Sequence, residues 1–421
     1  MKISSKFPAY TEYDPLVPVW CVTPNEGRTI HRFFDTSPFS PSQRYMAVLR
    51  LPQEERPPNP GEEAEVVLID LEEGTERVVA ITRGWEAQLG ANINWGATDN
   101  ELYFNDVDTT TWDAFCVKLN PHTGESMRLK GTIYRISPDG KHIISACAKR
   151  MRRTQRGYGV VIPDELVERN HGFRHDDGLY ITDTQTGECK LLISINDVFE
   201  KLIPQMDTGE YVKGECHGFH CKYNPQGDRL IFTLRMFKTD KPQPWQMIHD
   251  NLDFLVVTMK PDGTDVRNAV GPEFWRKRGH HINWHPNGRQ LTMNLGIEGD
   301  GKLYFVQVDY DGKNMRKMHD TIPGSGHPTL HVNEQHILTD TYENEPTAFG
   351  DGTVPLRFID LKEGTEKTIV RVNVTNPARA NFSDLRVDPH PAWAPDNKHI
   401  AFNGYVGGTR RVFVADLSGL L

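Results

Sequence analysis

Four histidines stand at one repeated position of this chain. His220, His281, His327 and His390 each lie four residues ahead of a copy of the same nine-residue template, and Asp388 sits two residues before His390. On an extended strand, residues two apart project from one face, so Asp388 and His390 can act together. Two imidazoles from among His281, His327 and His390, with the Asp388 carboxylate, suit a divalent transition ion such as manganese or iron, with positions left open for substrate. Calcium fits less well because it prefers oxygen ligands throughout. For any one histidine alone, capping a strand end is the simpler account. Four at one register in adjacent units argue for a site assembled from distant parts of the sequence.

The template that positions them occurs seven times: SPSQRYMAV from Ser40, GATDNELYF from Gly96, SPDGKHIIS from Ser137, NPQGDRLIF from Asn224, HPNGRQLTM from His285, HVNEQHILT from His331 and APDNKHIAF from Ala394. Each reads as a turn running into a short apolar strand, with lead-in residues Thr36, Asn92, Ile133, His220, His281, His327 and His390. A hairpin pattern such as VVLIDLEEGTERVV or LRFIDLKEGTEKTIV follows each copy, alternating apolar residues around a tight turn. About four strands per unit predict an all-β, seven-bladed β-propeller spanning residues 1–421 as one domain. The last hairpin lacks a return strand, and Leu16–Val22 resembles the missing one. Pairing it there would close the ring and remove exposed edges. A linear solenoid is the alternative. Two insertions interrupt the spacing: 147–177 in the third unit, with a short helix expected over Pro163–Asn170, and 194–214, with another around Asn196–Gln205.

Composition narrows the partners. The net charge of −9 and pI near 6 argue against nucleic acid. No apolar stretch long enough to cross a bilayer occurs, and the N-terminal residues show no apolar signal core, so a cytoplasmic location is expected. Six scattered cysteines fit reduced thiols there. Trp275-Arg276-Lys277-Arg278 runs into Gly279-His280-His281, and Lys149–Arg153 opens the third-unit insertion. Basic runs in an acidic protein suggest an anionic substrate, or else solvated loop faces. Cys216-His217-Gly-Phe-His220-Cys221 matches no common zinc spacing. His285 and His331 read as exposed turn residues, and Trp95, Trp284 and Trp393 as blade core. No G-x-S-x-G elbow supports a serine hydrolase.

With these residues in place the chain resembles the oligogalacturonate lyases, cytoplasmic seven-bladed propellers that cleave pectin fragments by β-elimination at a manganese site. His31-Arg32, His281-Ile-Asn-Trp284, Gly326-His327 and Pro389-His390-Pro391 with Pro395-Asp396 carry the likeness. It implies that His281 is the Brønsted base and that His327 and His390 bind the metal. Three positions depart from the family. Asp388 replaces a histidine ligand, Leu385 stands where a glutamine ligand is expected, and the arginine expected before Phe254 is missing, with His249 and Asp253 nearby.

The reaction so implied is removal of the proton α to a uronate carboxylate by His281, titrating near neutrality. Departure of the oxygen at C4 follows. Arg278 or Arg32 would hold a neighbouring carboxylate. His31, Asn92, His220, Arg276 and His280 complete the expected substrate contacts, the substrate being an anionic oligosaccharide and the cofactor Mn²⁺. Two readings compete. One is epimerisation or isomerisation of a sugar acid, which shares the first step. The other is a non-catalytic TolB-like docking propeller.

Overall fold

A computed structural model describes residues 1–239 and 252–421; His249 lies outside the described residues. The repeat translates into seven four-stranded antiparallel sheets. The first is built from Thr29–Ile30, Tyr45–Arg50, Ala64–Asp70 and Thr75–Thr82, and the fifth from Gly279–Trp284, Gln290–Leu295, Tyr304–Asp309 and Arg316–Lys317. Each sheet is a meander in sequence order except the seventh. There Ala392–Trp393, His399–Val406 and Thr409–Asp416 are completed by Val19–Cys21 from the other end of the chain. Val19, Trp20 and Cys21 pair with Ala415, Val414 and Phe413. The expected ring closure is therefore present, and the solenoid alternative is excluded.

Alternation along the strands puts apolar side chains on both faces of every blade, and the core lies between blades. Val48 and Val67 of the first blade pack with Ala401, Val412 and Val414 of the seventh, and Leu49 and Leu68 pack with Trp95 and Phe104 of the second. Trp95 and Trp284 are buried and donate to the carbonyls of Pro38 and Lys222, as the blade-core reading expects.

Expectations for the insertions need correction. Pro163–Asn170 forms only one tight turn, Asp164–Leu166. Val167 is extended and buried against Val107, Ala148, Val160 and Ile162, so packing pulls the chain out of a helix. A short helix that sequence did not suggest, Ala148–Met151, precedes it. The second helix forms over Ile195–Lys201, capped by Ser194, whose hydroxyl accepts from the Asp197 N–H. It stops short of Pro204, which disfavours helix in the residue before it. The Lys149–Arg153 run is neither a solvated face nor an anion site. Arg150 pairs with Asp177 at 3.3 Å, Arg152 with Glu86 at 3.0 Å, and Arg153 with Glu215 at 2.7 Å. These charges tie the insertion to the propeller. Among the described residues, no helix is long and apolar enough to cross a membrane.

Closure can be tested directly. Val19 is 3% exposed, so Val19→Asp buries an unpaired carboxylate at the seam and should cost about 3 kcal/mol or more. A urea midpoint equal to the parent's would show that the seventh blade holds without its borrowed strand.

Candidate active site

The inner strands begin at one end of the central channel, and the four lead-in histidines collect there. In the fourth and fifth blades the inner strand bulges at its histidine: pairing skips between Gly218 and Cys221 and between His280 and Asn283. A bulge re-aims a side chain out of the alternating pattern. His281, His390 and Asn92 also hold left-handed backbone conformations, with φ of 60°, 49° and 53°. Such conformations cost non-glycine residues roughly 1–2 kcal/mol each, a cost that packing must offset. In the sixth blade Gly326 takes the left-handed residue instead (φ 50°), and a Cβ there would lie 2.2 Å from the Asp340 carbonyl.

His327, Asp388 and His390 converge as expected: each offers a ligand atom within 4.8 Å of the others, and all three are buried. Their donor chemistry fits a divalent cation. His327 donates from Nδ1 to the Asp340 carboxylate at 2.8 Å, which leaves Nε2 as a buried lone pair without a partner. Both ring nitrogens of His390 are likewise buried and unpartnered. Orphaned buried nitrogens are rare in stable proteins, and an ion would satisfy Nε2 of His327 and the lone-pair nitrogen of His390. Asp388 also accepts from Arg386 Nε at 2.8 Å.

His281 stacks on His327, with ring centroids 3.8 Å apart and 29° between planes. Its Nδ1 lies 2.5 Å from the Gly326 carbonyl and must donate to it. Nε2 is then the lone-pair nitrogen, 3.1 Å from the Tyr342 hydroxyl. The expectation of a near-neutral pKa is corrected: burial, then the neighbouring His327 and His280, drives His281 well below the ordinary imidazole value. It is a neutral base with a fixed tautomer. His280 Nδ1 lies 2.8 Å from His281 Nδ1 and 3.2 Å from the Asn294 amide. Burial depresses His280 to about 3 and His31 to about 4.

The other expected substrate contacts divide. His220 and His280 line a cavity of ≈130 Å³ with His281, Tyr158, Tyr342, Arg235 and Arg386. His31 is wholly buried behind His390, 6.5 Å away between ring centroids. Arg32 donates to Asn92 Oδ1 at 3.0 Å, pairs with Asp35 at 3.9 Å and lies over Tyr134, and neither Arg32 nor Asn92 lines this cavity. Arg276 is committed to Asp253 at 2.8 Å and to the Tyr211 hydroxyl at 3.0 Å. Arg278 is exposed and donates to the Gly301 carbonyl. Neither lines the cavity, so the basic run 276–278 is a rim structure held by Asp253 and by the backbone carbonyls of Ile297 and Gly301. Two further expectations are corrected. His285 and His331 are buried, each accepting a turn N–H through Nδ1. His217 lies 2.9 Å from Glu215, and among the described residues Cys216, Cys221 and His217 belong to no group that could hold a metal.

Sequence reasoning missed Arg235, Arg386, Tyr342 and Asp340. Arg235 is 6% exposed and lies over the rings of Phe219 and Phe254 at 3.6 and 4.7 Å. Among the described residues it has no carboxylate partner, and burial lowers its pKa to about 9. Arg235 pairs across the sheet with Phe254, beside the place where the expected arginine is missing. Asp340 carried a signal. The residue directly after each template copy reads Leu49, Asn105, Ala146, Thr233, Asn294, Asp340 and Asn403. Asn105, Asn294, Asp340 and Asn403 each bond the backbone entering the next blade, at Ile133, Gly326, His390 and His31 respectively. Only the sixth copy is a carboxylate, and it also holds His327.

No family model matches the chain, and no curated protein does. Solved structures do. An oligogalacturonate lyase in complex with manganese aligns over 99% of this chain and 98% of its own, with a TM-score of 0.63 at 15% identity. The oligogalacturonate lyase of Vibrio parahaemolyticus aligns over 99% and 97%, also at 0.63, with 13% identity. A prolyl endopeptidase structure aligns over 91% of this chain but 50% of its own, at 0.50 and 12%. The chain thus has the seven-bladed propeller fold of the oligogalacturonate lyases along its whole length.

Asp340→Asn should weaken manganese binding by about 10–100-fold, the usual worth of a carboxylate that orients a ligating imidazole. Calorimetric titration showing parent affinity would mean that Asp340 serves the backbone alone.

Proposed function

We propose that this protein is a metal-dependent lyase that cleaves uronate-containing oligosaccharides by β-elimination. One observation carries the reading: a neutral imidazole of fixed tautomer, His281, stacks directly on a member of a buried His-Asp-His triad whose outward nitrogens lack partners. Both oligogalacturonate lyase structures share the fold, and one is a manganese complex.

The carbon acid at C5 of a uronate loses its proton only if charge on the adjacent carboxylate is neutralised. A divalent cation, manganese by preference, held by His327, Asp388 and His390 would supply that positive charge. Arg235, buried and without an acidic partner among the described residues, is placed to bind a substrate carboxylate bidentately. His281 Nε2 takes the C5 proton. Its Nδ1–H stays on the Gly326 carbonyl, which favours the imidazolium as it forms. Tyr342, whose buried hydroxyl is held neutral by burial and then by Asp388, can donate a proton to the departing C4 oxygen. The cavity is well below the roughly 300 Å³ at which pockets for larger ligands begin, which favours a substrate presenting a single terminal sugar. Lyase action by a cytoplasmic enzyme on anionic oligosaccharides other than plain digalacturonate agrees with the altered ligand set.

Incubation of manganese-loaded protein with galacturonate, glucuronate and rhamnose-linked oligosaccharides should generate the ultraviolet absorbance of an unsaturated uronate. His281→Ala should retain the metal by elemental analysis yet lose about two to four orders of magnitude in rate. Arg235→Lys should raise KM more than it lowers kcat. Flat absorbance with solvent exchange at C5, seen by nuclear magnetic resonance, would assign epimerisation instead. No metal uptake by the parent would overturn both readings and leave a binding propeller.

A further inference from the structure

The channel has a second end. The second residue of every template copy, proline in five of them, rings a cavity of ≈810 Å³ where the inner strands finish, away from the histidine cavity. Phe33 and Phe34, both fully buried, stand between the two ends. Phe33 packs its ring against His220, His281, His327 and His390, and Phe34 lies 5.0 Å from Lys222 Nζ. Chemistry at one end therefore does not reach the other.

Beneath this second cavity the charges do not balance. Arg32, Arg135 and Lys222 surround one carboxylate, Asp35. Lys222 Nζ is 2.6 Å from Asp35 and Arg32 is 3.9 Å from it, while Arg135 donates to Thr36 Oγ1. No second acid pairs with any of the three among the described residues. Asp35 and Lys222 are nearly inaccessible, each about 2% exposed at the side chain, and burial opposes the charge on both Lys222 and Arg135. An excess of two positive charges, with Arg32 and Lys222 buried and Arg135 partly exposed to the cavity, is costly unless an anion joins it. Asp35, Arg135 and Lys222 all line the cavity, together with Asn94 and Asn283. Asn283 uses its carbonyl oxygen on the Trp284 N–H, which leaves its amide nitrogen for a ligand.

We propose that this second end binds a small dianionic oxyanion, a phosphate or phosphate monoester, against Arg135 and Lys222, with the Asn283 amide as a neutral donor. A monocarboxylate would leave one positive charge uncompensated, so a dianion is the better match. Five prolines at the rim, each without an N–H to solvate, keep donors concentrated at the base of the cavity.

Calorimetric titration at fixed ionic strength, with chloride as the balancing ion, tests the site. Inorganic phosphate should bind saturably, acetate at least about tenfold more weakly, and Arg135→Gln should lose at least about tenfold in phosphate affinity, the worth of one charge-assisted contact. Arg135→Lys should recover part of that loss. Should Arg135→Gln fail to fold, Asn283→Ala, which removes a donor without altering charge, should still weaken phosphate binding. His327→Ala, at the other end, should leave it unchanged. A sugar phosphate binding more tightly than inorganic phosphate assigns the ester, and equal or weaker binding assigns the free ion. No saturable binding, equal affinity for acetate, indifference to Arg135→Gln or Asn283→Ala, or loss in His327→Ala would each overturn the proposal.

Discussion

One buried carboxylate holds the candidate metal centre together. Asp340 accepts from the backbone N–H and Nδ1 of His327 at 2.7 and 2.8 Å, and from the backbone N–H of His390 at 2.9 Å. It thereby fixes one imidazole's tautomer, sets the backbone of a second ligand, and joins the sixth blade to the seventh. Charge-assisted bonds of this kind are roughly twice as strong as neutral ones. Three other blades, the second, fifth and seventh, make the corresponding junction with asparagine, which suffices where only backbone must be held. A carboxylate appears where a ligand must also be oriented.

Around that anchor, the first blade contributes an excursion rather than a regular inner strand. Residues 31–36 leave the sheet and fill the channel, so that Phe33 becomes a common wall for four imidazoles. The wall adds to the burial that is the leading cause of the depressed basicity of His220, His281 and His390, and burial lowers His31 behind them as well. Neutral imidazoles are what metal ligation and proton abstraction both require.

The arginines show how little a basic run says about binding. Arg150, Arg152, Arg153 and Arg276 all have carboxylate partners, several in other blades. The cation left without an acidic partner beside the histidine cavity, Arg235, comes from the middle of an apolar strand, LIFTLRMF, where no charge pattern marks it. Its guanidinium is accommodated by two aromatic faces, an arrangement that depends on Phe219 and Phe254 flanking it from the strands on either side.

By itself the sequence determined the repeat, and with it the blade count, the ring closed by the N-terminal strand, and the register that gathers His281, His327, Asp388 and His390. Periodicity determines these because strand alternation and hairpin turns are local, and equivalent positions in a closed ring must be neighbours. The tertiary structure decided which charges are free. Arg276, Arg278, Arg32 and Asn92 looked available because their partners, Asp253, the Gly301 carbonyl, and for the last two each other, come from other loops and blades. Arg235, Arg386 and Tyr342 looked ordinary because their burial beside the histidines arises only once the blades are assembled. A side chain's ionic partners and its exposure are properties of packing between distant segments, and no local spacing encodes them.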